Sequence, residues 1–65
     1  MYELMLMYKD NYMKKEQSTL PRLMQALSIY MEDDSWLYAE IMNCNTGELL
    51  AMWVNNEDYG VTTAG

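Results

Sequence analysis

Residues 36–55 decide the fold of this chain, and they read WLYAEIMNCNTGELLAMWVN. Two runs rich in aromatic and aliphatic residues flank Asn-Thr-Gly at positions 45–47, a pattern typical of a β-hairpin. A glycine at position 47 suits a type I turn whose last residue takes the left-handed conformation. We therefore predict two antiparallel strands in which Cys44 pairs with Glu48.

Side chains alternate between the two faces of a strand, so the predicted hairpin divides into two sets. The first face carries Leu37, Ala39, Ile41, Leu49, Ala51 and Trp53. The second face carries Trp36, Tyr38, Glu40, Met42, Leu50, Met52 and Val54. This register places Met42 opposite Leu50, Ile41 opposite Ala51 and Ala39 opposite Trp53. Because both sets are mostly apolar, both faces of the hairpin need to be covered.

An earlier segment, residues 2–9, also alternates as a strand does. Leu4 and Leu6 lie on one side of this strand, with Tyr2 and Tyr8. The other side carries Met5 and Met7, with Glu3 and Lys9. The first strand therefore extends both faces of the hairpin.

The segment between the first strand and the hairpin predicts a loop followed by a helix. Residues 10–17 are polar and are expected to connect the two elements. Ser18 or Thr19 can cap the helix, and Pro21 then falls in its first turn, where a missing N–H costs nothing. An apolar stripe at helical spacing extends the helix to about four turns. It consists of Leu20, Leu23, Met24, Leu27, Tyr30 and Met31.

These elements predict an α+β domain of order β-α-β-β over residues 1–55. Its three-stranded antiparallel sheet has the spatial order 1-3-2, with one helix packed on one face. The alternative is a first strand that runs parallel to the second through a right-handed crossover. Residues 56–65 are expected to form a flexible acidic and polar tail, in which residues 59–63 can add a short edge pairing.

One helix can cover only one face of this sheet, so the second face is predicted to be an interface. Methionine adapts to partners of imperfect shape, and tryptophan and tyrosine are common interface anchors. Three occupants remain open: the C-terminal tail, a second copy of the chain, or a different protein. We favour a homodimer. The predicted interface residues are Met5, Met7, Trp36, Tyr38, Glu40, Met42, Leu50, Met52 and Val54.

A second predicted site is an acidic cluster at the end of the helix. The chain has ten acidic and four basic residues and a net charge of −6, which disfavours nucleic acid and anionic membranes as partners. The cluster is either a solvated turn or a patch for a protein with a basic surface, in the manner of an inhibitor that mimics nucleic acid. The patch would consist of Glu32, Asp33, Asp34, Glu57 and Asp58.

Catalytic and metal-binding residues are scarce. The chain has no histidine and one cysteine, Cys44, so we predict no enzyme activity, no metal site and no cofactor. No apolar run approaches the ~20 residues of a membrane span, and the N-terminal residues do not resemble a secretory signal. We therefore expect a cytoplasmic protein.

The strand-helix-hairpin order with its Thr-Gly-Glu turn (residues 46–48) resembles that of many small acidic proteins of phages and bacteria. No motif identifies a family. For a chain of phage origin, the resemblance implies an accessory protein that binds a host protein, modulates or inhibits it, and acts in the host cytoplasm. A structural subunit of a larger assembly is the remaining alternative.

Overall fold

The structure, a computed structural model, describes residues 1–56 and 60–64 of the 65-residue chain. It confirms an α+β fold with one helix on an antiparallel sheet. The strands follow one another across the sheet in the order β2-β1-β3-β4-β5. The elements are β1 (Tyr2–Tyr8), β2 (Met13–Ser18), α1 (Leu20–Tyr30), β3 (Trp36–Asn43), β4 (Leu49–Asn56) and β5 (Gly60–Ala64).

The described residues form five strands where three are predicted, and the predicted strand order 1-3-2 is wrong. The two strands of the predicted hairpin are β3 and β4, and β3 lies beside β1 with β4 on its far side. The parallel alternative is also wrong, because β1 and β3 are antiparallel. The reason is that β2 returns the chain to the start of β1 before the helix begins. The helix then runs back along β1, so that β3 starts at Trp36, opposite Tyr8.

The predicted loop at residues 10–17 is wrong too, because most of it forms the edge strand β2. A tight turn joins β1 to β2: the Asn11 N–H donates to the Tyr8 carbonyl over 3.0 Å, and the Tyr8 N–H donates to the Tyr12 carbonyl over 2.8 Å. Asn11 has a φ of 73°, a conformation that asparagine tolerates better than most residues. Asp10 Oδ1 accepts a hydrogen bond from the Tyr12 N–H, which fixes the turn further.

The core lies between the helix and one face of the sheet. Thr19 is the N-cap residue and Pro21 lies in the first turn, as predicted, but the Thr19 side chain makes no capping hydrogen bond. The helix spans 11 residues and is therefore nearer three turns than four. Met24, assigned to the apolar stripe, is exposed instead. The buried apolar residues are Leu4, Leu6, Leu23, Leu27, Trp36, Ala39 and Ile41.

A β-bulge at the start of β3 reverses the predicted placement of two residues. Met7 lies opposite Tyr38 while Tyr8 lies opposite Trp36, so Leu37 is an additional residue in β3. The Trp36 side chain therefore points toward the helix and is 2% exposed, whereas Leu37 is 40% exposed. The prediction that Trp36 belongs to the uncovered face is wrong, because strict alternation does not pass through a bulge.

A second bulge lies near the other end of β3. Ile41 is opposite Ala51 and Ala39 is opposite Trp53, as predicted, but Met42 is opposite Leu49 rather than Leu50. Leu50 is therefore the additional residue of β4. The hairpin closes one residue earlier than expected, because it is the Asn43 N–H, not that of Cys44, that donates to the Glu48 carbonyl over 2.8 Å.

Gly47 takes the left-handed conformation that the turn was predicted to need, with a φ of 75°. We expect Gly47→Ala to destabilise the fold by about 1–2 kcal/mol. An added Cβ meets no atom within 4 Å, so the cost comes from the backbone conformation and not from a steric clash. Urea unfolding followed by circular dichroism measures this difference. Gly47→Asn is the control and should lose less stability, because asparagine tolerates this conformation; equal losses would contradict this explanation.

Candidate functional site: the open face of the sheet

We call the side of the sheet away from α1 the open face. Residues directly opposite one another on neighbouring strands share a face, so the strand register arranges its side chains in rows across β2, β1, β3 and β4. The three rows, read in that order, are Gln17, Glu3, Met42 and Leu49; Lys15, Met5, Glu40 and Met52; and Met13, Met7, Tyr38 and Val54.

Seven of the nine predicted interface residues meet on this face. All seven are half-buried against their neighbours: Met5, Met7, Tyr38, Glu40, Met42, Met52 and Val54. Trp36 is absent because it belongs to the core. Leu50 lies at the second bulge beside Leu49, where both side chains are exposed.

Sequence reasoning missed the contribution of β2, which adds Met13, Lys15 and Gln17 to the open face. Met13 lies opposite Met7 and extends the apolar row to the edge of the sheet. Gln17 Nε2 donates to Glu3 Oε1 over 3.1 Å. The available signal was the Asp-Asn pair at residues 10–11, a turn sequence between two segments that could pair.

Glu40 occupies the middle of the open face. Its row neighbours are Met5 on β1 and Met52 on β4. Its Oε1 accepts a hydrogen bond from the Tyr38 hydroxyl over 3.0 Å. Partial burial raises the pKa of Tyr38, and the bond to Glu40 raises it further. The carboxylate thus has one hydroxyl partner among apolar neighbours.

The two adjacent lysines of β2 point to opposite sides of the sheet. Lys14 faces the helix, where its Nζ lies 4.4 Å from the centre of the Tyr30 ring. The Tyr30 hydroxyl donates to Glu16 over 2.9 Å, and contact with Tyr30 raises the pKa of Lys14. Lys15, by contrast, is exposed in the same row as Glu40.

Comparisons with protein-family models, curated proteins and solved structures found no match to this chain. Within residues 1–56 and 60–64, no three His, Cys, Asp or Glu side chains are grouped in a way that could hold a metal ion. The helix of this part of the chain is too short to cross a membrane.

Local structure accounts for two residues of the predicted acidic patch. Asp33 Oδ1 accepts a hydrogen bond from the Ser35 N–H over 3.1 Å. Asp34 Oδ1 accepts one from Asn55 Nδ2 over 2.9 Å, and Lys9 Nζ lies 3.9 Å from Asp34 Oδ2. Both carboxylates thus stabilise the connection between α1 and β3. Of the other patch residues, Glu32 is exposed, whereas Glu57 and Asp58 lie outside the described residues.

Proposed function

We propose that this protein is a non-enzymatic homodimer that works by binding another protein, and that two copies associate through the open face. The observation that carries the proposal is the position of five methionines on the face opposite the helix. None of the described elements lies over that face, because β5 extends the sheet beyond β4 instead of crossing it. The methionines are Met5, Met7, Met13, Met42 and Met52.

The size of the sheet supports a second copy as the occupant. Five strands spaced about 4.8 Å apart, with about six residues each at ~3.4 Å per residue, give a face of roughly 24 Å by 20 Å. Two such faces bury about 1,000 Å² in total, which is the lower limit for a specific protein interface. Two-fold dimers are also the commonest assembly of identical chains.

The small core gives a thermodynamic reason to dimerise. A domain below about 70–80 residues rarely gains more than about 3–5 kcal/mol from one hydrophobic core, and oligomerisation is a common supplement. This chain has a single cysteine and so forms no disulfide within itself. Burying the methionine face against a second copy supplies further apolar burial without lengthening the chain.

A dimer of this kind leaves negative charge on its outer surfaces. Asp10, Glu32 and Glu48 are exposed and lie outside the open face. Together with the net charge of −6, they favour a protein partner with a basic surface. The inhibitor that mimics nucleic acid is the less favoured alternative, because Asp33 and Asp34 already have bonding roles in their own turn.

Sedimentation equilibrium of the purified chain, from about 1 µM to about 500 µM, tests the proposal. We expect twice the 7.7 kDa chain mass. Met7→Lys should weaken dimerisation by about a hundredfold or more, since its row neighbours are Met13 and Tyr38 and the new charge is left unpaired in the interface. The matched control is Ile29→Lys, because Ile29 is 59% exposed and lies on α1, away from the open face. Ile29 lines a shallow depression of about 390 Å³ on the helix.

The control should retain the mass of the wild type. A wild-type chain that stays monomeric throughout the range would overturn the proposal, whatever the behaviour of the variants. So would a Met7→Lys variant that keeps both its dimeric mass and its far-ultraviolet circular dichroism spectrum.

A further inference from the structure

We propose that the two Glu40 carboxyl groups of the dimer meet on its two-fold axis and bind one proton between them. Each copy supplies half of this proton-binding site, and the proton comes from solvent. The inference rests on the proposed dimer and adds to it a dependence on pH: the two copies associate more weakly as the pH rises.

The position of the axis follows from the area of the open face. Overlap of all five strands buries only about 1,000 Å², which is the lower limit for a specific interface. An axis displaced by one strand from the middle of the sheet would leave two strands of each copy uncovered. The axis therefore has to lie over the central strand. That strand is β3, because two strands lie on either side of it.

Glu40 is the central residue of the open face. It lies on β3 in the middle row, between Met42 in the first row and Tyr38 in the third. A two-fold axis between the two sheets, over the middle of β3, therefore places Glu40 of one copy against Glu40 of the other. This holds whether the axis runs along the strands or across them.

An axis along β3 gives the other side chains acceptable neighbours. It exchanges β1 with β4 and leaves β3 facing β3. Glu3 lies at the rim of this interface, where it keeps its hydrogen bond from Gln17. An axis across the strands would instead set Lys15 against Lys15. The facing pairs are Met5 with Met52, Met7 with Val54, Glu3 with Leu49, Met42 with Met42 and Tyr38 with Tyr38.

No cation in the three rows of the open face reaches the Glu40 pair. The titratable side chains of these rows are Glu3, Lys15, Tyr38 and Glu40 itself. Lys15 lies two strands from Glu40, about 10 Å away with Met5 between them. The axis carries it over β5 of the second copy. Glu3, one row away on β1, adds a further negative charge. Because the packed sheets exclude water, two ionised Glu40 side chains would repel each other strongly.

A shared proton removes this repulsion. Two carboxyl groups held together in a desolvated site cannot both ionise, and they keep one proton at a pH where a separate glutamate has lost its own. The Tyr38 hydroxyl donates to Glu40 Oε1 over 3.0 Å. The dimer therefore brings two such donors, one from each copy, to the negative charge that remains. It holds one proton more than two separate chains do.

Sedimentation equilibrium at about pH 6, 7 and 8, at one ionic strength, tests the proton uptake. Because the dimer holds one additional proton, the dissociation constant of the wild type should rise about tenfold for each unit of pH. Glu40→Gln removes the charge and keeps the shape of the side chain. It should abolish this slope and, at pH 8, dimerise at least about tenfold more tightly than the wild type.

The matched control is Glu48→Gln, at an exposed residue outside the open face. Each variant removes one negative charge and changes the net charge from −6 to −5. The general repulsion between two acidic copies is therefore the same in both variants. Glu48→Gln should keep the slope of the wild type.

The outcomes separate the shared proton from the dimer. A wild-type dimer with the same dissociation constant at all three values of pH overturns the shared proton while the dimer stands. So does a Glu40→Gln variant that keeps the wild-type slope, or a Glu48→Gln variant that loses it. A wild type that is monomeric at every pH overturns both proposals.

Discussion

Replacing Trp36 with alanine is expected to leave the chain unfolded at room temperature. Trp36 is among the largest fully enclosed side chains of the core, and it packs with residues of β1, β3 and α1. Truncating a buried tryptophan costs about 3–5 kcal/mol, because both the transfer energy and the packing around it are lost. That cost equals the whole stability expected of a core this small. Far-ultraviolet circular dichroism and urea unfolding at one protein concentration measure the effect.

The neighbouring residue is the matched control. Leu37 is the additional residue of the bulge and its side chain is exposed, so Leu37→Ala should change stability by no more than about 1 kcal/mol. Strict alternation through residues 36–43 predicts the reverse ranking, with Leu37 in the core. A Leu37→Ala variant less stable than Trp36→Ala would show that the bulge is misplaced.

A carboxylate in place of the Asn55 amide is expected to destabilise the fold by about 3 kcal/mol or more at pH 7. Asn55 is buried, and its Nδ2 donates to Asp34 Oδ1 and to the Trp36 carbonyl, both over 2.9 Å. Asn55→Asp replaces this donor with a negative charge that faces a second carboxylate and a carbonyl oxygen. The urea midpoint of the variant, compared with the wild type, measures the loss.

The loss should shrink as the solution is acidified. The facing Asp34 carboxylate and burial would raise the pKa of the new carboxyl in the folded state above its unfolded value, which is near pH 4. The variant is therefore least penalised below that pH and loses stability as the pH rises through the folded pKa. The control, Asn43→Asp, makes the same change of charge. The Asn43 side-chain oxygen accepts a hydrogen bond from the Asn45 N–H, and a carboxylate oxygen can accept the same bond. Asn43→Asp should therefore cost about 0.5 kcal/mol or less. Equal losses in both variants, or a loss independent of pH, would contradict this role for Asn55.

Periodicity predicted the elements whose apolar residues follow one regular spacing, either that of a helix or that of a strand. The spacing of Leu23 and Leu27 placed the helix, and Pro21 with Thr19 placed its start. Alternation placed β1 correctly, and the middle of the β3–β4 hairpin has the predicted register. These features depend on contacts within a few residues or across one turn, which a sequence displays directly.

The errors share a different cause, which is that a tertiary feature overrides a local rule. Each bulge inserts one residue into a strand and so shifts the alternation of side chains between the two faces by one position. Neither Leu37 nor Leu50 is of a residue type that signals a bulge in a sequence. Residues 13–18 are too polar to suggest a strand, yet β1 gives their backbone groups partners. Once β2 was missed, the strand order was also wrong, because β2 determines the end of β1 at which the helix begins.

The open face could be predicted in outline but not in its polar detail. The residues common to prediction and structure lie on the central strands β1, β3 and β4, where alternation holds between the bulges. Lys15 and Met13 depend on the existence of β2, so their place beside Met5 and Met7 could not be read from the sequence. The Tyr38–Glu40 hydrogen bond likewise depends on side-chain geometry within one face.

The order in which the core residues occur along the chain determines when the protein can fold during its synthesis. Leu4, Leu6, Leu23 and Leu27 precede residue 31, whereas Trp36, Ala39 and Ile41 all belong to β3. A nascent chain that ends before β3 lacks these three core side chains, and chains below about 40 residues rarely fold without a disulfide, a metal or a partner. We expect the pairing of β1 with β3 to be the slow step, because it joins segments that are distant in sequence. Since β1 and β3 also form the centre of the open face, a growing chain has no such surface until synthesis has passed Asn43.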